Sequence, residues 1–398
     1  MTFDEILGAI LIPRENGSAA LGQVAAYLES AARATGAQVL LREFVCRPYA
    51  IRLLGVVSLA LAIAMYACLC ARRPGWAVLL ALALPLYLTA ENEARFPLLS
   101  RIGEVREHNV VVRFPVAQPA RIVVLGAHYD TKTDLLDHYQ RAPIELLLLP
   151  MLGISLAFPL TALWRHRRGK SKGRVRLWVA AVVPLYFAAF FVMTTGGAFV
   201  SARSPGALDD GAAVATLLKV AEGLGGGAPK LERTQIDIVF FAGEEVGLQG
   251  SAHFVGEHFG GDPTPAGVSG GHAQTPTYFI NIEGWGFGPE LSYFTTDRSA
   301  TRRYPAAPGL VRVLDRAYRR VSGGPGLVPE PFPAVTDARN FMAAGIPSVT
   351  LASRYGDARV RGLHTAADSR DRIQPGTLDR GLRFLQVALE EIDARGAE

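Results

Sequence analysis

Four long apolar runs dominate the hydropathy pattern. Between them the chain reads as short apolar strands alternating with amphipathic helices. The runs cover about Ile51–Cys70, Trp76–Ala90, Leu146–Trp164 and Leu177–Val200. A helix that crosses a bilayer needs about 20 apolar residues. The first, third and fourth runs have that length. The second is short and needs Trp76 and Tyr87 as interfacial anchors, or a locally thinned bilayer. The plainer alternative is a set of buried core helices.

The four runs predict two hairpins, each closed by a basic turn: Arg72-Arg73-Pro74-Gly75 in the first, the loop Arg165–Arg176 in the second. Short basic loops stay in the cytoplasm. The N-terminus, the segment Glu91–Ala142 and the C-terminal half are therefore expected on the outer face. No charged side chain lies deep in any run; Arg52 and Glu145 fall at ends. Ionisable groups inside a membrane mark transport paths, so this pattern argues against a transporter.

Outside the hairpins, Arg121–Ala127, Ile236–Ala242, Thr277–Ile282 and Ser348–Ala352 have the length and composition of buried strands. Gly211–Leu224 has helical spacing, with Val214, Leu217, Leu218 and Ala221 on one face. Pro375–Arg395 repeats the pattern with Leu378, Leu382, Leu385 and Leu389. Strands alternating with helices predict an α/β fold, a three-layer α/β/α sandwich around a mixed, largely parallel sheet. Such sheets carry their chemistry at the carboxyl ends of the strands.

Composition supports the membrane reading. Of 398 residues, 49% are apolar and only 19% charged, against about 25% charged in soluble domains. Mean hydropathy is +0.20. The formal charge of +5 is mostly one loop: Arg165–Arg176 holds five Arg and two Lys with no acid. A single basic loop does not make a nucleic-acid-binding face. The cysteines Cys46, Cys68 and Cys70 suit neither a disulfide framework nor a thiolate zinc site. The N-terminal MTFDEILGAILIPRENGS lacks a basic segment followed by an apolar core, so no cleavable signal peptide is expected.

The unusual polar residues fall at strand ends. His128 and Asp130 follow the first strand in GAHYD. Zinc favours imidazole and carboxylate ligands, and a ligating His usually donates its other ring N–H to a carboxylate, a role open to Asp130. Alone, the pair is ordinary. Asp209 and Asp210 precede the Gly211 helix, where one acid would simply cap it; two together point equally to a metal. Glu244 and Glu245 end the second strand in FAGEEVGLQGS. Paired carboxylates behind a buried strand are costly unless used. One can bind metal while the other, its pKa raised by burial and its neighbour, serves as a base; a solvated turn is the alternative. Glu283 ends the third strand, and His364 lies beyond the fourth. His253 and His258 fit a solvated helix surface. Asp134, Asp137 and His138 enter a loop leading to a span. His108 and His272 have no chemical company.

Taken together, GAHYD, GALDDG, GEEVGLQGS, NIEG and LHTAAD resemble, in order, the motifs of the M28 family of zinc peptidases. The NIEG form is similar to the multi-spanning branch, the endoplasmic-reticulum and vacuolar membrane metallopeptidases. The resemblance covers nearly all the chain outside the hairpins, including the N-terminal RENGSAA segment. It implies two zinc ions, one held by His128 and the other by His364, with Asp209 bridging and its peptide to Asp210 cis. Glu245 and Glu283 complete the metal set, without the resemblance saying which ion Glu245 joins. Glu244 is implied as general base; Asp130, the expected carboxylate partner of His128, is counted with the catalytic residues, and Asp210 as a structural residue of the site. Family members carry Tyr just before the late His; that place is Leu363 here, and Tyr355 is the candidate to replace it.

By the same resemblance, the hairpins are insertions into one peptidase domain. The expected division is 1–50, 93–142 and 201–398 for the peptidase domain, with transmembrane hairpins over 51–92 and 143–200. His128 and Asp209 stand 81 positions apart, and the second hairpin accounts for most of that gap. The expected protein is a multi-pass membrane aminopeptidase whose peptidase domain faces outward near the bilayer surface. Its partners would be peptide substrates and lipid, with no nucleic acid. Two alternatives remain. One is a glutaminyl cyclase-like or carboxypeptidase reaction on the same fold. The other is a non-catalytic receptor or scaffold ectodomain.

Overall fold

The computed structural model describes residues 1–93, 98–169, 175–260, 275–288, 290–299, 301–331, 334–354 and 360–396. The chain forms two compact units. The first comprises Met1–Pro48, Glu104–Lys132 and Ala202–Glu398. The second comprises Tyr49–Gly103 and Thr133–Ser201.

In the first unit the strands are β1 (Gln38–Cys46), β2 (Val105–Phe114), β3 (Arg121–His128), β4 (Thr234–Phe241), β5 (Thr277–Ile282), β6 (Leu291–Phe294), β7 (Thr296–Arg298), β8 (Arg303–Pro305), β9 (Val328–Glu330) and β10 (Ser348–Ser353). Eight of them form one sheet in the order β1-β2-β4-β3-β5-β10-β6-β9. The central four, β4-β3-β5-β10, are parallel. These are the four strands expected from sequence, and β5 and β10 are buried along their whole length. That continuous burial follows from cover on both faces.

The sheet is mixed, as expected: parallel pairing holds in this centre and again between β6 and β9. β1 pairs antiparallel with β2, β2 antiparallel with β4, and β10 antiparallel with β6. An outer strand can leave part of its surface to water, and β1 alternates irregularly between exposed and buried positions. QVLLREFVC therefore carries polar residues that hide it from a search for apolar runs.

Successive side chains of the central strands enter opposite layers, the period-2 alternation of a pleated strand. Val123, Leu125, Ile238, Phe240 and Ile280 join one core with the helices Phe3–Ile10, Ala19–Arg33, Ala212–Gly225, Pro308–Ser322 and Thr377–Arg395. Val124, Val239, Phe241 and Phe279 join the other with Phe254 and Phe341, from the helices Gln249–Phe259 and Ala338–Ala343. Phe279 and Phe341 stack face to face with centroids 3.7 Å apart. The result is a three-layer sandwich.

In the second unit four helices are long and apolar enough to cross a membrane: Ala50–Cys70, Pro74–Glu91, His138–Arg167 and Leu177–Phe199. The second run is longer than the hydropathy alone indicates, because a π-helical turn over Thr89–Glu93 continues it. The third begins at His138, well before the apolar run. Asp137 starts it with a capping box, accepting the Gln140 N–H at 2.9 Å while Gln140 Oε1 accepts the Asp137 N–H. Asp137 in DLLDHY thus has a local structural role. Thr195 Oγ1 donates to the Arg52 carbonyl at 2.8 Å, and a Cβ on Gly55 would meet Thr194 Oγ1 at 2.0 Å. Small residues allow helices this close an approach.

Candidate metal centre

Parallel pairing brings four acidic or imidazole side chains to one edge of the sheet. His128, the last residue of β3, pairs with Phe241, the last of β4. Glu244 and Glu245 follow β4 after Gly243, and Glu283 follows β5, its N–H bound to the Leu351 carbonyl at 2.9 Å. Asp209 arrives on the turn before the helix Ala212–Gly225. That turn depends on Gly206, at φ +59°, where a Cβ would lie 2.4 Å from Thr131 Cγ2 and 2.5 Å from the Asp209 carbonyl oxygen. The Asp209–Asp210 peptide is cis. His364 has a left-handed backbone, φ +61°, a conformation that costs a non-glycine residue about 1–3 kcal/mol and gathers at functional sites.

Asp209 faces both imidazoles. Its Oδ1 lies 3.0 Å from His128 Nε2 and its Oδ2 3.2 Å from His364 Nε2. Glu283 Oε1 is 3.4 Å from His128 Nε2, and Glu245 Oε2 is 3.0 Å from His364 Nε2. Glu245 therefore sits on the His364 side, a pairing the motifs left open. Donor atoms of His128, Asp209 and Glu283 all lie within 4.8 Å of one another.

The proton on His128 shows what this arrangement lacks. Its Nδ1 is 3.2 Å from the backbone carbonyl of Asp130. A carbonyl only accepts, so Nδ1 carries the hydrogen. In the neutral ring the Nε2 lone pair then points at the oxygens of Asp209 and Glu283. Lone pairs converge there, and a cation or a second proton must lie among them. Without a cation, the ring takes the proton. Burial disfavours its charge, but Glu283 and the bonds to Asp130, Asp209 and Glu283 push His128 well above its ordinary pKa. Burial likewise opposes ionisation of Asp209, and the two histidines outweigh it and hold the carboxyl well below the usual range. On the other side, Glu245 Oε1 is buried without a hydrogen-bond partner. Two imidazoles and three carboxylates whose lone pairs converge in this way are a donor set that fits zinc.

Glu244 stands beside this set, half-buried. Burial raises its carboxyl well above the ordinary range, and Glu283 and Glu245 add to the rise against the opposing charge of His128. Asp210 is fully buried, and burial raises its carboxyl too.

Asp130 lies beside His128, its carboxylate 3.6 Å from Nδ1 and its own carbonyl 3.2 Å away. Its oxygens also accept the N–H groups of Glu244 at 3.3 Å and Glu245 at 3.2 Å, and Asn16 Nδ2 at 2.6 Å. It ties the His128 loop to the Glu244–Glu245 loop. Leu363 is buried in a small apolar cluster with Leu208 and Val360. Tyr355 lies outside the described residues, as does His272. His253 is exposed on its helix, as expected, and stacks on Phe44; His258 is half-buried and stacks on Phe254.

Three residues with no role assigned from sequence support the site. Asp368, the last residue of LHTAAD, accepts the N–H groups of Leu208 and Asp209. Asn16 holds Asp130. Arg14 is fully buried beneath the His128 and Asp209 loops. The sequence signal for Arg14 is slight: it opens the polar Arg14-Glu15-Asn16 directly after the apolar ILIP.

Residues 192–388 match the model of Peptidase family M28. Over that stretch the chain is similar to the M28 peptidase family. The match takes in Asp209, Glu244, Glu245, Glu283 and His364; His128 joins them through β3. No curated protein matches the chain. Among solved structures, it is similar to a zinc-dependent exopeptidase from Parabacteroides distasonis, at 16% identity and a TM-score of 0.53, covering 98% of this chain and 97% of that one. It is also similar to a glutaminyl cyclase from Fimbriiglobus ruber, at 14% and 0.56, covering 98% and 95%. A third is a leucine aminopeptidase precursor from Bacteroides thetaiotaomicron, at 13% and 0.54, covering 98% and 96%. At these identities the likeness is one of fold. It places this chain on the α/β fold that these structures share.

Proposed function

We propose that this protein is a membrane-bound, two-zinc aminopeptidase. The observation that carries the reading is Asp209, whose two carboxylate oxygens each face a different imidazole. One zinc would be held by His128, Asp209 and Glu283, the other by His364, Asp209 and Glu245. Bound there, zinc supplies Lewis acidity at the scissile carbonyl and lowers the pKa of water.

The chain's own residues do the rest. Glu244 takes the proton of the attacking water and returns it to the leaving amine. A carboxyl raised by burial suits both halves of that transfer. Asp130 fixes the Glu244–Glu245 backbone against the His128 loop. Glu245 and Glu283 leave anionic oxygens at the site edge, the chemistry that receives a free α-amino group. The four apolar helices anchor the domain, and the basic turns orient it with the peptidase unit outside the cytoplasm.

A glutaminyl cyclase reaction is the second reading, favoured by the cyclase among the solved structures of this fold. It would be expected to use a single zinc, whereas the donors here form two sets. Metal analysis of detergent-purified protein, with free and N-acetylated aminoacyl substrates and N-terminal glutamine peptides, separates the two. Two zinc ions per chain and cleavage only of free amino termini are expected. One zinc with cyclisation of glutamine would sink the aminopeptidase reading.

A further inference from the structure

Arg14 is among the largest fully buried side chains of the protein, with no exposed surface. A buried guanidinium is costly unless its donors are met. Here they are met by backbone carbonyls. Nε donates to Tyr129 at 2.5 Å. Nη1 donates to Ile10 at 3.0 Å, Ile12 at 3.3 Å and Pro205 at 2.5 Å. Nη2 donates to Gly206 at 3.2 Å.

Two of these contacts matter most. Tyr129 follows His128 directly, and Pro205-Gly206 begins the turn that carries Asp209. One planar group thus clamps the two loops that must present His128 Nε2 and Asp209 Oδ1 to each other. The backbone reinforces the clamp. The Arg14 N–H donates to Thr131 Oγ1 at 2.9 Å, and the Thr131 N–H returns to the Arg14 carbonyl at 3.1 Å. Asn16, two residues on, holds Asp130. The space is closed on the far side as well: a Cβ on Gly206 would lie 3.2 Å from Arg14 Nη2, and one on Gly211 3.5 Å. Burial lowers the guanidinium to about 10, against the charges of Asp130, Asp368, Asp210 and Asp209, so it remains cationic at neutral pH among four acids.

We propose that Arg14 is a positioning residue for the metal centre: it sets the spacing of the His128 and Asp209 loops and thereby zinc affinity. The proposal rests on the two-zinc reading of the site. A lysine has the charge but not the planar fork, and a single ammonium cannot bridge both loops along the same directions. Partners of this kind typically change metal affinity about 10–100-fold.

The test is zinc affinity by chelator competition on the full-length protein, alongside thermal stability of the metal-free form. The variants are Arg14→Lys, Arg14→Met and Thr131→Val, with Leu28→Ala as a core-destabilised control. Expected is a loss of about 10–100-fold in affinity for both Arg14 variants and a smaller loss for Thr131→Val, while Leu28→Ala binds like the wild type. Wild-type affinity in Arg14→Lys would overturn the proposal, since charge alone would then suffice. Equal losses in Leu28→Ala would overturn it too, by making the effect one of general stability. Should the Arg14 variants not fold, unchanged affinity in Thr131→Val decides against it. A wild type that binds no zinc defeats the metal-centre reading itself, a separate result.

Discussion

Asp368 Oδ2 accepts the backbone N–H of Asp209 at 3.2 Å. Its other oxygen accepts the N–H of Leu208 at 2.9 Å. The residue that ends the His364 loop therefore fixes the one carboxylate that faces both imidazoles. Burial, with Asp209 beside it, raises the Asp368 carboxyl to about 7, and the two N–H bonds favour its charged form. Asp368→Asn would turn an amide donor toward one of these N–H groups. We expect zinc affinity to fall about 10–100-fold. An unchanged affinity in chelator competition would show that the turn holds Asp209 without it.

Glu244 touches none of the imidazole nitrogens, whereas His128 lies at the centre of one donor set. Glu244→Gln should keep two zinc ions and lose about 10²–10⁴-fold in turnover. His128→Ala should lose zinc. Metal counts and single-turnover rates on the same preparations check both, and normal turnover in Glu244→Gln would remove it as the base.

Asp297 supplies a pH effect away from the metal. It is buried, and accepts Thr336 Oγ1 at 2.6 Å and the Arg298 N–H at 2.9 Å. Burial raises its carboxyl to about 6, against about 3.9 in an unfolded chain. The folded state then binds more protons than the unfolded state between these values, so stability is highest below about 4 and falls as pH rises to about 6. The loss is on the order of 3 kcal/mol. Asp297→Asn should flatten this slope. Melting temperatures at pH 4.5 and pH 7 compare the two proteins, and parallel curves would contradict the assignment.

The basic turns predict sidedness. Arg168 is an exposed residue in the turn after the third apolar helix, and Ala117 is exposed between β2 and β3. In a background without Cys46, Cys68 and Cys70, an impermeant thiol reagent should label Ala117→Cys in intact cells. Arg168→Cys should react only after permeabilisation. The reverse pattern would invert the topology.

Much of the site was legible before folding because its residues interrupt apolar strands. A carboxylate or imidazole directly after VVLGA or INI, or one glycine after IVFFA, has no packing role that would conceal it. The central strands were legible for the same reason: β3, β4, β5 and β10 are covered on both faces and read as continuous apolar runs. β1 was not, since an outer strand keeps polar side chains and its pattern resembles a loop; β2, between β1 and β4, was hidden by the polar Arg106-Glu107-His108-Asn109 at its start. The helix His138–Arg167 starts earlier than its apolar run because Asp137 and Gln140 cap it, a local effect that hydropathy does not register.

The sequence by itself determined the four apolar helices, the buried core of the sheet and the polar residues that end its strands, because burial and period are properties of neighbouring residues. Only the tertiary structure decided the pairing of Glu245 with His364, the backbone partners of the Asp130 carboxylate, and the contacts of Arg14, Asn16 and Asp368. Those contacts join residues up to 192 positions apart, and most of them bind backbone groups. A backbone carbonyl or N–H is the same in every residue, so no pattern of side chains announces which one a buried Arg or Asp will meet.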